Sequence, residues 1–569
     1  MDRSDYETNT RKINTLLMKS KTLKINRTDN IEVALSDLKA GDAVTSDAGI
    51  YKLVTDVQAK HKFATIDLQL GDDIVMYGVL VGKATKPIKK GEVITTGNVS
   101  HAANNYKLKE RKTSWEVPEI ASWSDKTFMG YHRDNGKVGV ANYWLIIPLV
   151  FCENKNVQVI QDAFMKGLGY HDNDSSYYNQ VQQLVKMHRA GIAVEDILSI
   201  DIDTLGADTE AENRVFPNID GVKFLTHSLG CGGTKDDTIN LCGLLAGYIT
   251  HPNVAGATVL SLGCQNAQIP LLKEQIAKRD PQFSKPLYCF EQQQEGTESE
   301  LIKLAIKQTF AGLMQANDLK RKPAPLSKLC IGLECGGSDG FSGISANPAL
   351  GYTSDLLVAL GSSVILSEFP ELCGVEQELS DRCIDETVAQ KFMTLMTAYH
   401  ERAKAVGSGF DSNPSAGNIR DGLITDAIKS AGAAKKAGTS PVIDVLDYPQ
   451  QVSKPGLTLL CTPGSDIEST TAEVGAGATL VFFTTGLGTP TGNPIAPVVK
   501  ISTNTTLYKK MNDIIDIDAG TIITGEETIE QVGERILDYI IEIASGAVKA
   551  KAEALGHNDF IPWKRGISL

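Results

Sequence analysis

Leu329-Cys330-Ile331-Gly332-Leu333-Glu334-Cys335-Gly336-Gly337-Ser338-Asp339 is a short apolar run that stops at a cysteine and then turns on two glycines. A run of this length bounded by glycine reads as a buried strand of a parallel sheet. Three other stretches have the same form. They are Tyr143-Trp144-Leu145-Ile146-Ile147-Pro148-Leu149-Val150-Phe151-Cys152, Val222-Lys223-Phe224-Leu225-Thr226-His227-Ser228-Leu229-Gly230-Cys231, and Ala257-Thr258-Val259-Leu260-Ser261-Leu262-Gly263-Cys264. In open α/β sheets, ligands bind outside the carboxyl ends of such strands. Four strand-end cysteines are therefore expected to converge on one site.

Around these runs, strands alternate with helical patterns from Thr127 onward, the signature of βαβ units. Helical periodicity covers Asn179 to Met187, Leu241 to Ile249 and Glu298 to Met314. Strands are predicted at Ser363 to Leu366, Val442 to Leu446, Leu457 to Leu460 and Thr479 to Phe483. Lys320-Arg321-Lys322-Pro323-Ala324-Pro325 breaks the pattern and marks a boundary. Upstream, Val33 to Gly41 is echoed by Phe63 to Gly71, and more faintly by Ala84 to Gly91. Each copy reads as a strand entering a glycine turn, so this part is a small all-β module. The resulting division is a tail at 1–21, an all-β module at 22–105, a polar linker at 106–126, and two Rossmann-like α/β domains with mainly parallel sheets at 127–322 and 323–569. At 569 residues, several domains are required, since single cores stop growing well below that length.

The net charge of -13, without a lysine or arginine block, argues against nucleic acid or an anionic membrane surface as partner. No apolar leader and no long apolar span is found, so a cytoplasmic protein is expected. Ten cysteines in such a chain are buried, metal-binding or catalytic rather than a disulfide framework.

Two cysteine loops carry further chemistry. Cys231 lies between glycines, with His227 upstream and Asp236 and Asp237 downstream. The imidazole and carboxylates are candidate acid/base or metal-binding groups, and a tight turn around a buried thiol is the plain structural alternative. Cys335 is followed by Gly336, Gly337 and Ser338, whose successive amides suit a carboxylate or phosphate, while Glu334 and Asp339 supply carboxylates. The Gly-Lys-Ser/Thr ending of a phosphate-binding Walker loop is missing. Thr484 to Pro494, leading to Lys500, is a second glycine-rich candidate, with a flexible connector as its alternative. No pair of cysteines has CxxC spacing, which argues against a zinc ribbon. His61 and His101 fall in the all-β module.

With these stretches in view, the chain resembles the altronate/galactarate dehydratase family of sugar-acid hydro-lyases over nearly all its length. The residues that carry the resemblance are Gly130 to Tyr143, the Cys231 loop, His251-Pro252-Asn253, Gly263-Cys264, Gly332 to Gly340, Asn347-Pro348, Glu368-Phe369-Pro370-Glu371 and Pro463-Gly464-Ser465-Asp466. The all-β module is similar to that family's SAF domain, a β-clip. Two positions depart from the family pattern. Asn26-Arg27 stands where a histidine usually ends the first SAF strand, and Gln265 stands where a glutamate commonly follows the cysteine.

The resemblance implies dehydration of an aldonic acid such as D-altronate, with galactarate or another hydroxy acid as the alternative, and a non-enzymatic sugar-acid binder as the rival class. It also implies ferrous iron, with Mn2+ or an iron–sulfur cluster as other occupants, and a homo-oligomer, taken as a dimer. On this reading His227, Asp339 and Glu334 are the candidate catalytic groups. Arg133, Gly336, Gly337, Ser338, Lys500, His61 and His101 would contact substrate. Cys231, Cys264, Cys335 and Cys152 would shape or ligate the metal site.

Overall fold

The computed structural model describes residues 21–46, 49–104, 106, 111–170, 175–200, 214–410 and 413–569. The expected tail therefore lies almost wholly outside the described residues, as does Lys107 to Glu110 of the linker. The all-β module is built from short antiparallel strands, among them Ile31–Ala34, Lys62–Ala64 and Val79–Ala84. The repeat seen in the sequence is a structural repeat. Gly41, Gly71 and Gly91 all have φ between 85° and 89°, in equivalent turns that a side chain would strain. In each turn the next residue's carboxylate accepts the same amide: Asp42 from Lys39, Asp72 from Gln69, Glu92 from Lys89.

All four cysteine-ended runs form parallel strands. Three of them lie side by side in a four-stranded sheet, in the order Gly221–Phe224, Tyr143–Pro148, Val254–Ser261, Leu287–Glu291. The fourth, Cys330–Cys335, is the central strand of a seven-stranded parallel sheet. Its neighbours are Ser363–Leu366 and Leu480–Thr485. Beyond Ser363–Leu366 lie Gly456–Cys461 and Val442–Asp447. The expected small all-β module followed by parallel-sheet α/β units is thus the observed architecture.

The segment read as a break is itself a strand. Lys322–Pro325 pairs antiparallel with Thr127–His132, and its two prolines sit at the sheet edge, where their missing N–H groups cost no ladder bond. One apolar cluster runs through both sheets, joining Leu145 and Val259 to Val481 and Phe483. Helices Lys235–Thr250 and Asp466–Ala476 meet so closely that a Cβ at Gly247 would sit 2.3 Å from the Gly475 carbonyl oxygen. The two α/β units are therefore packed as one body through a shared core. Among the described residues no helix is long and apolar enough to cross a membrane.

Candidate active site at the carboxyl edge of the seven-stranded sheet

Cys335 ends the central strand, and the neighbouring strand ends in the loop that carries Glu368 and Glu371. The Cys335 thiol lies 3.4 Å from Glu368 Oε2 and 3.4 Å from Glu371 Oε2. One donor atom from each of the three lies within 4.8 Å of the other two, and all three residues are buried. Glu368 reaches this position from a left-handed backbone, φ 60° and ψ 55°, which a glutamate adopts only when its surroundings impose it. Only two other non-glycine residues with positive φ are described, Lys60 and Tyr77, and Lys60 belongs to the same region.

Two lysines balance the carboxylates. Lys436 donates to Glu368 Oε2 at 2.6 Å, and Lys429 donates to Glu371 Oε1 at 2.6 Å and to Asn413 at 2.8 Å. Burial works to raise the Glu371 pKa, yet the attraction of Lys429 and Lys436 outweighs it and holds this carboxyl below the usual glutamate range. The Cys335 thiol is pushed far up, first by burial and then by the negative charge of Glu368. Behind the cluster, Glu334 is wholly buried and its pKa is raised well above normal by burial, by Glu368 and by Glu473. Glu473 is raised to about 8, chiefly by burial. Ser367 donates to both of these acids. Asp466 stands at the front, pushed up to about 7 by burial and by Glu368 and Glu371. A carboxyl poised near neutrality is suited to give or take a proton at working pH.

The donor set suits a divalent cation. One sulfur and two carboxylates converge, all three buried. Glu334, favoured in its protonated form by burial, hydrogen-bonds to Glu368 from behind, and buried carboxylates in such a set are offset by a proton or a cation. A cleft of about 560 Å³ is lined by Asn413 and Gly464, both against Glu371.

The glycine nest lies alongside. Gly336 is obligatory, because a Cβ there would sit 2.0 Å from Asp466 Oδ2. Its amide donates to Thr484, while the amides of Gly337 and Ser338 donate to no protein group among the described residues. Asp339 is fully buried. It accepts from Phe341, Ser342 and Thr503 on one oxygen and pairs with Lys60 Nζ at 3.0 Å on the other. Lys60 also reaches Asp421 at 3.1 Å. His61 contacts the Arg420 carbonyl at 3.0 Å, and Lys62 donates to Gly422 at 2.6 Å. One turn of the β-clip thus docks on this sheet edge. His101 is elsewhere on the same interface, paired with Asp426. Replacing Lys60 by methionine leaves buried Asp339 without its cation. A loss of about 1–3 kcal/mol is expected, reduced from the fully buried case because Lys60 is partly exposed. A lower melting temperature with faster proteolysis at the 111–126 linker checks this.

The remaining sequence-derived residues fall into other environments. Arg133 is buried, and its guanidinium donates to Pro252, Asn142 and Ala141. Lys500 is buried and donates to the Thr491 carbonyl, its pKa lowered to about 8 by burial. Both are occupied in holding loops together. His227 has both ring nitrogens engaged by backbone, Nε2 with Pro148 and Nδ1 with the Leu229 amide. Burial lowers its pKa to about 4. His251 is held the same way, lowered to about 3 by burial and by Lys285. These two histidines predict acid sensitivity. Between pH 6.5 and 4 the unfolded chain takes up protons that the folded rings refuse. Each therefore removes about 1.4 kcal/mol of stability per pH unit as pH falls through that window. Denaturation at pH 7 and pH 5 measures the slope, and a His251→Gln variant should flatten it.

Cys152, Cys231 and Cys264 do not join Cys335. They are exposed at the carboxyl edge of the other sheet. Gln265 is buried beneath Cys264, accepting from Gly263 and donating to Ser261 and Ala267. An amide can do both, whereas an ionised glutamate could only accept. Glu368, Glu371 and Asp466 fall in stretches that carry the family resemblance but receive no role from the sequence, and Lys429, Lys436 and Lys60 are not singled out there. The first three follow strands, so the strand-end rule applied to carboxylates reaches them. The lysines carry no such signal.

Comparison with known proteins identifies the family of the chain. Residues 20–102 match the altronate/galactarate dehydratase SAF domain, 130–317 the D-galactarate dehydratase/altronate hydrolase second domain, and 326–568 the D-galactarate/altronate dehydratase C-terminal domain. The chain is 35% identical to altronate dehydratase of Escherichia coli (strain K12), covering 96% of this chain and 99% of that one. It is 33% identical to altronate dehydratase of Bacillus subtilis (strain 168), with the same coverage. Identity to galactarate dehydratase (L-threo-forming) of Escherichia coli (strain K12) is 30%, over 94% of this chain and 95% of that one. From its clip through its central cysteine strand to its last helix, the chain belongs to the altronate/galactarate dehydratase family.

Proposed function

We propose that the protein is a hydro-lyase that removes water from D-altronate to give 2-keto-3-deoxy-D-gluconate. The observation that carries this is the buried Cys335–Glu368–Glu371 cluster beside a glycine nest and a carboxyl of raised pKa. The C2 proton of an aldonate is only weakly acidic, and its removal puts further negative charge on the neighbouring carboxylate. The amides of Gly337 and Ser338 are placed to hold that charge. Asp466, near neutral in pKa, exchanges a proton with C2 or with the departing C3 hydroxyl. Cys335, Glu368 and Glu371 would hold ferrous iron, or Mn2+ in its place, which when bound supplies a Lewis acid for carboxylate and hydroxyl oxygens. Lys60 and His61 close the clip over the nest and keep water out.

Release of keto-deoxy acid from a panel of aldonates and aldarates, with reduced iron under anaerobic conditions, tests the reading. Fastest turnover of D-altronate is expected. Preference for galactarate would reassign the substrate, and binding of all members without turnover would favour a sugar-acid binding protein. We also place the protein in the cytoplasm as a homodimer, which cell fractionation and light scattering check.

A further inference from the structure

We propose that a cleft at the amino edge of the seven-stranded sheet binds a small phosphate-bearing polyanion, at a site separate from the Cys335 cluster. The cleft holds about 980 Å³, within the range of small-molecule sites. Its floor is formed by the amino ends of strands Cys330–Cys335 and Ser363–Leu366, with Thr479 at the start of Leu480–Thr485. One wall comes from the first α/β unit, through Lys137 and the end of helix Ile269–Arg279. The other comes from the second unit, through Lys328, Lys391 and residues 450–455. Strand Cys330–Cys335 runs from this cleft to the candidate active site, so the two lie about 17 Å apart.

Charge points to the occupant. Lys137, Lys278, Arg279, Lys328, Lys391 and Lys454 line the cleft, and no aspartate, glutamate or histidine does. In a chain of net charge -13, such a wall runs against the average. Lys278 pairs with Glu274 and Lys454 reaches Asp444, whereas Lys137, Arg279, Lys328 and Lys391 form no ion pair among the described residues. Cys330 is the other group of the wall that could turn negative. Burial first and then Glu473 push its thiol up to about 12, so it stays neutral. The carboxyl ends of helices Ile269–Arg279 and Asp466–Ala476 bring about half a negative charge each, too little to offset four unpaired cations. A cleft lined by one sign of charge concentrates ions of the other.

Two of the cations are held in place before any ligand binds. Arg279 donates to the Pro449 carbonyl at 2.8 Å and to Gln275 at 3.0 Å, and its Nε is buried with no hydrogen-bond partner among the described residues. A buried N–H of this kind calls for an acceptor. Lys328 donates to the Gly136 carbonyl at 3.1 Å, across the joint between the two α/β units. Phosphate accepts from several such donors at once, and a guanidinium matches its geometry. No aromatic residue lines the cleft to stack a base, while Gln275, Ser327, Ser363 and Gln451 offer amide and hydroxyl groups. The lining therefore fits inorganic phosphates or a phosphorylated sugar acid better than a nucleotide. A polyanion that bridges both walls cross-links the two units.

Titration calorimetry and thermal melting of the full chain, at about 0.1 M salt, test the site with inorganic diphosphate, phosphogluconate and gluconate. Both phosphates should bind with a Kd below about 1 mM and raise the melting temperature. Lys137→Gln/Lys391→Gln should melt like wild type without ligand, since Lys391 makes only a 3.5 Å bond to Gln450 and the Lys137 ammonium makes none among the described residues. That variant should bind each phosphate at least about tenfold more weakly. Gluconate, which lacks the phosphate, should not distinguish variant from wild type. Tighter binding of phosphogluconate than of diphosphate identifies a phosphorylated acid as the occupant, and the reverse order identifies free phosphates; either order supports the site when the variant loses the binding. No binding of either phosphate at about 10 mM, or equal binding by variant and wild type, overturns the proposal. Altronate turnover plays no part in these readouts, so the dehydratase reading stands or falls separately.

Discussion

Lys436→Met is expected to lower the stability of the C-terminal α/β unit by about 3–5 kcal/mol, the cost of breaking a buried ion pair from one side. Lys436 and Glu368 are each 1% exposed and 2.6 Å apart. No water can replace the lost ammonium, and Glu334 and Glu473 already add acidic groups behind Glu368. For a unit of this size the loss is a melting shift of roughly 6–20 °C. Lys436→Met/Glu368→Gln should recover most of it, because neither partner is then left charged. If the single variant melts within about 2 °C of wild type, the pair is not buried in solution.

Glu371→Gln should lower iron binding, turnover and stability together. The amide has the same shape, but Lys429, largely buried and 2.6 Å from Glu371, then keeps only Asn413 as acceptor. The melting temperature is therefore expected to fall, though by less than in Lys436→Met, because Lys429 is the more exposed lysine. The negative donor is gone as well, so bound iron should fall and kcat with it, by about 10²- to 10⁴-fold. Iron content and kcat measured on the same preparation decide the matter. A kcat within about threefold of wild type would remove Glu371 from the site.

Much of the architecture was readable from local pattern. Apolar runs ending in glycine became parallel strands because burial on both faces demands such runs, and the clip's turns repeat because each needs glycine at the same place. The Cys335 loop was legible as a nest for the same reason. What pattern does not contain is which strand ends share an edge. Four cysteines look alike along the chain, yet three belong to one sheet and one to another. His227 resembled an acid/base group until both of its nitrogens were found on backbone. Lys429 and Lys436 lie on and just past a helix with no motif of their own, and long-range packing alone brings them to Glu371 and Glu368.

The docking of Lys60 on Asp339 also sets an order of events during synthesis. The clip emerges from the ribosome roughly 280 residues ahead of Asp339, on the order of 14–56 s at about 5–20 residues per second. For that time Lys60 has neither Asp339 nor Asp421 to pair with, and Lys62 has only the Lys60 carbonyl of the clip itself. The clip can wait because it has a small core of its own around Leu38, Leu53, Val57 and Phe63. The nascent chain thus carries a finished lid well before there is anything to cover.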